Sequence, residues 1–172
     1  MNKVMSKNDA VKLIKDGDAL GVAGFVGNGH PETLSATIEE RYLAEGHPCN
    51  LTIMFSAGIG DGKDRGTNHF GFDGLVKRAI GGHYGLAPKL GKLVTENKIE
   101  AYNLPQGVVA HLFREAAGRK AGVITKVGLG TYVDPRIEGG KLNSLTKEDI
   151  VRVSPNDVSK ARLFRQRWCS DK

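Results

Sequence analysis

The sequence predicts an α/β domain built on a mostly parallel sheet with helices on its faces. Two observations carry the prediction. Short apolar runs alternate with amphipathic stretches of about ten residues, and strands joined through such stretches need crossover connections, which make them parallel. Glycine-rich loops follow the apolar runs, as they do where an open sheet ends at a ligand crevice. A chain of 172 residues is the size of one domain and long enough to bury a core without disulfides or metal. Its 40% hydrophobic and 26% charged content is ordinary, whereas 23 glycines point to many tight turns or ligand-cradling loops.

The elements follow in order. Ser6 with Asp9 three residues on makes an N-cap, and Ala10, Val11 and Ile14 share the face of a first helix running to about Lys15. Asp16-Gly17 breaks it, and residues 19–23 form a compact apolar strand. A loop at 24–31 leads into a helix on which Leu34, Ile38 and Tyr42 repeat at i+4, with Gly46 as its C-terminal cap. Residues 51–55 are a second strand, followed by a glycine-rich loop at 56–68 and a short helical stretch near 73–79. A third strand is expected at 99–103. The helix after Pro105-Gln106-Gly107 carries Val109, Leu112, Phe113 and Ala116 on one face and stops at Gly118. Residues 121–125 make a fourth strand. Loops 24–31, 56–68, 104–107 and 126–143 all follow predicted strands, so they could converge on one rim.

Composition and motifs exclude several functions. The N-terminus has no apolar stretch suited to a signal peptide, and nothing approaches the ~18 apolar residues of a membrane span, so the expectation is a cytoplasmic protein with no membrane partner. Cys49 and Cys169 fit no CxxC spacing and the five histidines form no ligand pattern, so neither a disulfide framework nor a metal site is expected. The sequence pI is about 9.4. Residues 151–172, however, hold six Lys and Arg against two Asp, a net +4 of the total +6, so the basic character is local and nucleic-acid binding is not expected. Gly58-Ile59-Gly60-Asp61-Gly62 lacks dinucleotide-loop spacing, Gly62-Lys63 and Gly91-Lys92 lack the Ser or Thr of a phosphate loop, and no Gly-x-Ser-x-Gly elbow exists.

Gln106 is the polar residue of most interest, held by Pro105 and Gly107 in a tight turn between strand end and helix start. Its amide is either a fixed donor for a ligand or the side chain of a turn, exposed or bracing its own loop. Asp134-Pro135-Arg136 is either an anion contact or a turn with an internal ion pair. His30 and His83 are given no role.

The run Asp16-Gly17-Asp18-Ala19-Leu20-Gly21-Val22-Ala23-Gly24-Phe25-Val26-Gly27-Asn28-Gly29-His30-Pro31 resembles the first signature of family I CoA-transferases: Asp-Gly, an apolar strand, Gly-Gly-Phe, then Gly-x-Pro. Ala23 stands in place of the first glycine of Gly-Gly-Phe. Further stretches are similar to the fused acetate/propionate branch: Gly60-Asp61-Gly62 with Asp64-Arg65-Gly66, residues 74–79, Gly81-Gly82-His83-Tyr84-Gly85, Ala101-Tyr102-Asn103-Leu104-Pro105-Gln106-Gly107, residues 128–136 and 139–143. Together they cover about residues 7–153.

The resemblance implies a Rossmann-like three-layer domain, the N-terminal alpha-like part of such an enzyme, over residues 1–153. It implies transfer of CoA from an acyl-CoA to a short-chain carboxylate through a glutamyl-CoA thioester. Gln106 would donate to the tetrahedral oxyanion, Gly24 and Phe25 would border the site, and Gly27 and Gly29 would keep the nearby loop open. The CoA thioester is a substrate, so no separate cofactor is implied, and the intact enzyme would be a homo-oligomer. The nucleophilic glutamate lies in a C-terminal beta-like half beyond residue 172. Residues 154–172 match no family pattern and read as a basic tail, for which a frameshift or premature stop is the simplest account. Two other readings stand beside this one: a catalytically silent binder of CoA or acyl-CoA acting as a partner, and a non-functional fragment.

Overall fold

A computed structural model describes residues 4–153 and the strand at 162–165. Four strands, β1 (Ala19–Val22), β2 (Leu51–Phe55), β3 (Val76–Gly81) and β4 (Glu100–Asn103), form a parallel sheet in sequential order. The register sets Val22 beside Phe55, Phe55 beside Gly81 and Gly81 beside Asn103, so all four strands end on one edge.

Both faces of the sheet are covered, which explains why the central strand β2 is buried along its length, with only Thr52 half-buried. Leu51, Ile53, Phe55, Ala79 and Ala101 pack on one side with Val11 of α1 (Lys7–Lys12), Ile38 of α2 (Glu32–Glu45) and Leu90, Leu93 and Val94 of α3 (Pro88–Thr95). Met54, Ile80 and Tyr102 face the other way, against Val108, Val109 and Leu112 of α4 (Gln106–Ala117). The expected three-layer α/β architecture is what is found. Ser6 caps α1 through its hydroxyl, which accepts from the Asp9 N–H at 3.1 Å, and Gly46 closes α2 with φ 74°. Among the described residues no helix is long and apolar enough to cross a membrane.

Four local expectations are corrected. The first helix ends at Lys12, with Leu13 at its cap, not near Lys15. On α2, Leu34 faces solvent, and Ser35 and Thr37 are buried beside Ile38. The stretch near 73–79 is strand β3, because Val76, Ala79 and Ile80 are all buried between the layers, although their i, i+3, i+4 spacing imitates a helix. Helix α3 was not anticipated; it opens on Pro88 and buries Leu90, Leu93 and Val94.

Strand β5 (Gly122–Thr125) exists but does not extend the parallel sheet. It pairs antiparallel with β7 (Arg162–Arg165), which also pairs antiparallel with β6 (Val151–Val153). The reason lies at the outer edge of β4, which is already taken: Asn103 N donates to Gly140 O at 2.8 Å and Leu142 N to Ala101 O at 2.9 Å. The expectations for the basic segment 154–172 otherwise lie outside the described residues.

Candidate functional site

Because the four strands are parallel, the loops after them meet at one edge, and the predicted convergence can be followed bond by bond. In the loop after β1, Phe25 and Asn28 exchange two backbone hydrogen bonds of 2.9 Å, closing a tight turn over Val26-Gly27. Gly24 has φ +138°, and a Cβ there would lie 3.0 Å from that of His30, so no other residue fits. Val26 ties this turn to the loop after β2: its N–H donates to Gly58 O at 2.8 Å, and its carbonyl accepts from Gly60 N at 2.9 Å.

The second loop is tied in turn to the loop after β3. Gly62 N and the Asn68 side chain both donate to Leu86 O, each at 3.1 Å. Gly82 lies so close to the second loop that a Cβ on it would sit 2.0 Å from Ser56 O, and its other near neighbour is Gln106 Cα. The side-chain amide of Asn103 donates to Gly81 O at 3.2 Å and Gly82 O at 2.9 Å, while its oxygen accepts from the Tyr132 hydroxyl in the segment after β5.

Gln106 is the first residue of α4, exposed, with Pro105 before it in an extended conformation. It makes no side-chain hydrogen bond among the described residues. The loop-bracing alternative therefore has no bond to support it, and an exposed, unbonded amide fits both a turn residue and a donor for a ligand. Pro105 provides no side-chain cap, so the first N–H groups of α4 add a positive partial charge beside Gln106. The arrangement suits a group that gains negative charge on oxygen.

Phe25 is 58% exposed at the tip of the first loop. Gly29 has φ +67°, which favours glycine, whereas a Cβ on Gly27 would meet nothing within 4 Å and its φ is ordinary. Contacts run from this loop through Gly58 and Gly60 to Gly82 and Gln106. Asp134 and Arg136 form a forked ion pair within their own turn, with contacts of 2.8 and 2.9 Å, which settles that pair as internal.

An acidic and histidine cluster braces the base of the first two loops. Glu32, at the start of α2, accepts from Gly66 N at 3.0 Å and from His69 Nε2 at 2.9 Å, and His69 Nδ1 donates to Glu39. Burial disfavours charge on His69, but its bonds to Glu39 and Glu32 outweigh that and raise its pKa. Burial likewise opposes the Glu32 carboxylate, and the His69 and Gly66 donors overcome it, holding its pKa low. Burial depresses the pKa of His30.

Sequence reasoning placed Ser56 and Tyr132 in loops expected at this rim without singling them out, and it missed Gly82 and Asn103 as parts of it. The Gly81-Gly82 pair would have marked the end of a strand had β3 been read as one.

Comparison with known proteins agrees with this fold. The family model described as Coenzyme A transferase matches residues 4–159. The chain is 45% identical over 153 residues to caffeate CoA-transferase of Acetobacterium woodii, covering 89% of this chain and 29% of that protein. It is 43% identical over 152 residues to acetate CoA-transferase YdiF of Escherichia coli K12, covering 87% and 28% respectively. It thus spans under a third of the length of these curated relatives. The crystal structure of the acyl-CoA transferase YdiF apoenzyme from Escherichia coli O157:H7 superposes with a TM-score of 0.89 at 40% identity, over 94% of this chain and 32% of that one, and a thioester complex of that enzyme with CoA superposes equally well.

Proposed function

The chain belongs to the coenzyme A transferase family, and from that premise we propose that it forms the oxyanion-stabilising half of an enzyme moving CoA from an acyl-CoA to a short-chain carboxylate of the acetate/propionate kind. The nucleophile in this reading is a glutamate supplied by a C-terminal half or partner subunit, and CoA passes through a glutamyl-CoA thioester. The acyl-CoA and the carboxylate are the substrates, and no further cofactor is used. The coverage of under a third of each relative supports a second half as partner.

The observation that carries the proposal is the placing of Gln106. Its unengaged amide stands at the uncapped N-terminus of α4, backed by Gly82, where four post-strand loops meet. When a carboxylate attacks a thioester carbonyl, the oxygen becomes an oxyanion, and a fixed neutral donor beside a helix N-terminus stabilises it without needing to move. Gly24 and Phe25 border the same rim through the Val26 bridge, and Gly27 and Gly29 keep the loop beyond them open.

The test is reconstitution. The 172-residue chain is combined with the C-terminal half of a relative, in fusion or as a separate chain, and CoA transfer between acetyl-CoA and propionate is measured. Transfer is expected from the combination and not from either part alone. Transfer by the purified 172-residue chain would overturn the division of labour, and retention of CoA without transfer by the combination would favour the silent binder.

A further inference from the structure

At the amino edge of the parallel sheet, opposite the rim, three side chains that have no part in the proposed transfer chemistry come together. Asp16 lies in the turn before β1, and His47 and Cys49 lie in the segment before β2. The Nδ1 atom of His47 is 2.8 Å from Asp16 Oδ2 and 3.1 Å from Oδ1. One ligand atom from each of Asp16, His47 and Cys49 lies within 4.8 Å of the other two. Asp16 and His47 are 31 positions apart, which is why sequence spacing gave no ligand pattern.

The backbone holds this group in place. Cys49 N donates to Asp16 Oδ1 at 2.9 Å, Gly17 N donates to Cys49 O at 2.9 Å, and Thr52 N donates to Asp18 O at 2.9 Å. The two segments that carry the three side chains are therefore cross-tied, and the donor atoms face one another without any rearrangement of the chain. An imidazole nitrogen, a thiol sulfur and a carboxylate oxygen make a mixed set of the type zinc(II) takes, whereas calcium and magnesium take oxygen. Zinc bonds of about 2.0–2.3 Å in a tetrahedron separate ligand atoms by about 3.5 Å, within reach of these three by small side-chain rotations. The His47 side chain is 56% exposed and that of Asp16 is 47% exposed, so water can reach a fourth position.

We propose that Asp16, His47 and Cys49 bind one zinc(II) ion, with water completing a tetrahedral site at the amino edge of the sheet. Binding leaves His47 a neutral imidazole with its proton on the ring nitrogen that does not ligate zinc(II), and releases the thiol proton of Cys49 to solvent. The site is independent of the transferase reading, since none of its residues touches the rim.

The test uses the full 172-residue chain, with cobalt(II) as the spectroscopic probe and zinc(II) as its competitor. One equivalent of cobalt(II) is expected to give a thiolate-to-metal charge-transfer band that zinc(II) abolishes. Cys49→Ser should remove the band, and Cys169→Ser should leave it intact. Loss of even an outer-shell partner lowers metal affinity about 10- to 100-fold, so His47→Gln should weaken zinc(II) binding at least tenfold. Each variant's circular dichroism is compared with wild type without metal, and Cys49→Ser, which keeps size and shape, serves if another variant fails to fold. Absence of the band in folded wild-type protein, or its persistence in Cys49→Ser, would overturn the proposal and leave an ion pair tying two segments.

Discussion

Asn103 holds Gly82: the side-chain amide at the end of β4 donates to the Gly82 carbonyl just beyond β3 at 2.9 Å. The same side chain reaches Gly81 and Tyr132, so one residue at the end of β4 joins the end of β3 to the segment after β5.

Asn103→Ala should therefore act on stability and site together. A partly buried polar group left without its partner costs about 1–3 kcal/mol, so a loss of unfolding free energy in that range, seen as a lower urea midpoint, is expected. Asn103→Asp keeps an acceptor for Tyr132 but sets a carboxylate against two carbonyls, and should be at least as damaging. Urea titrations of the two variants check both expectations, and a midpoint unchanged in Asn103→Ala would show that the network holds nothing.

Close approach makes Gly82→Ala the sharper steric test. Its Cβ would lie 2.0 Å from Ser56 O, forcing two loop backbones apart. Overpacking of this kind costs about 1–3 kcal/mol. Gly91, inside α3, is the control: a Cβ there meets nothing within 4 Å. Gly91→Ala should stabilise by about 0.5–1 kcal/mol through helix propensity alone. Opposite shifts in thermal midpoint are the expected result.

The His69 cluster predicts a pH dependence. The folded pKa of His69 is raised above the ordinary value, so its contribution is complete below about pH 6.5 and is lost as pH climbs through the folded pKa. For Glu32 the folded pKa is lowered, so its contribution is present above the ordinary carboxylate range and is lost as pH falls through the folded pKa. His30 has a depressed pKa and works against folding on the acid side. The difference in thermal midpoint between wild type and His69→Gln isolates His69. It should be largest in mildly acidic solution and shrink towards alkaline pH; a difference that grows with pH would contradict the ion cluster.

Sequence legibility followed how local each signal was. β1 and β2 were readable as short, largely apolar runs, β4 because Pro105 follows it closely, and α4 as an apolar stripe that stops at Gly118. β3 was not, since Val76, Ala79 and Ile80 satisfy helical spacing, and only burial on both faces shows them to be strand. α3 was hidden because Gly91-Lys92 interrupts its stripe. At the rim, Gln106 was legible because Pro105 and Gly107 mark the turn. The Asn103–Gly82 bond spans 21 positions, and strand register alone brings its ends together. The absence of β5 from the parallel sheet was equally unreadable, because residues 140–142 close the β4 edge from far along the chain.

The last prediction concerns Gln106 in the reconstituted enzyme. An oxyanion donor is used chiefly once the carbonyl oxygen carries charge, so its removal raises the barrier and leaves ground-state binding largely unchanged. Deleting one such donor costs about 100-fold or more in kcat. Gln106→Ala should therefore lower kcat by about that factor while KM changes little. The side chain is exposed and makes no hydrogen bond among the described residues, so the thermal midpoint of the 172-residue chain should hardly move. Gln106→Glu separates donor from shape: it preserves length, removes the amide donor and adds a negative charge where an oxyanion forms, so kcat should fall further than in the alanine variant. If Gln106 only occupied a turn, both substitutions would leave kcat intact. Steady-state kinetics and thermal denaturation on the same preparations distinguish the outcomes, and full kcat in a folded Gln106→Ala enzyme would remove this residue from the mechanism.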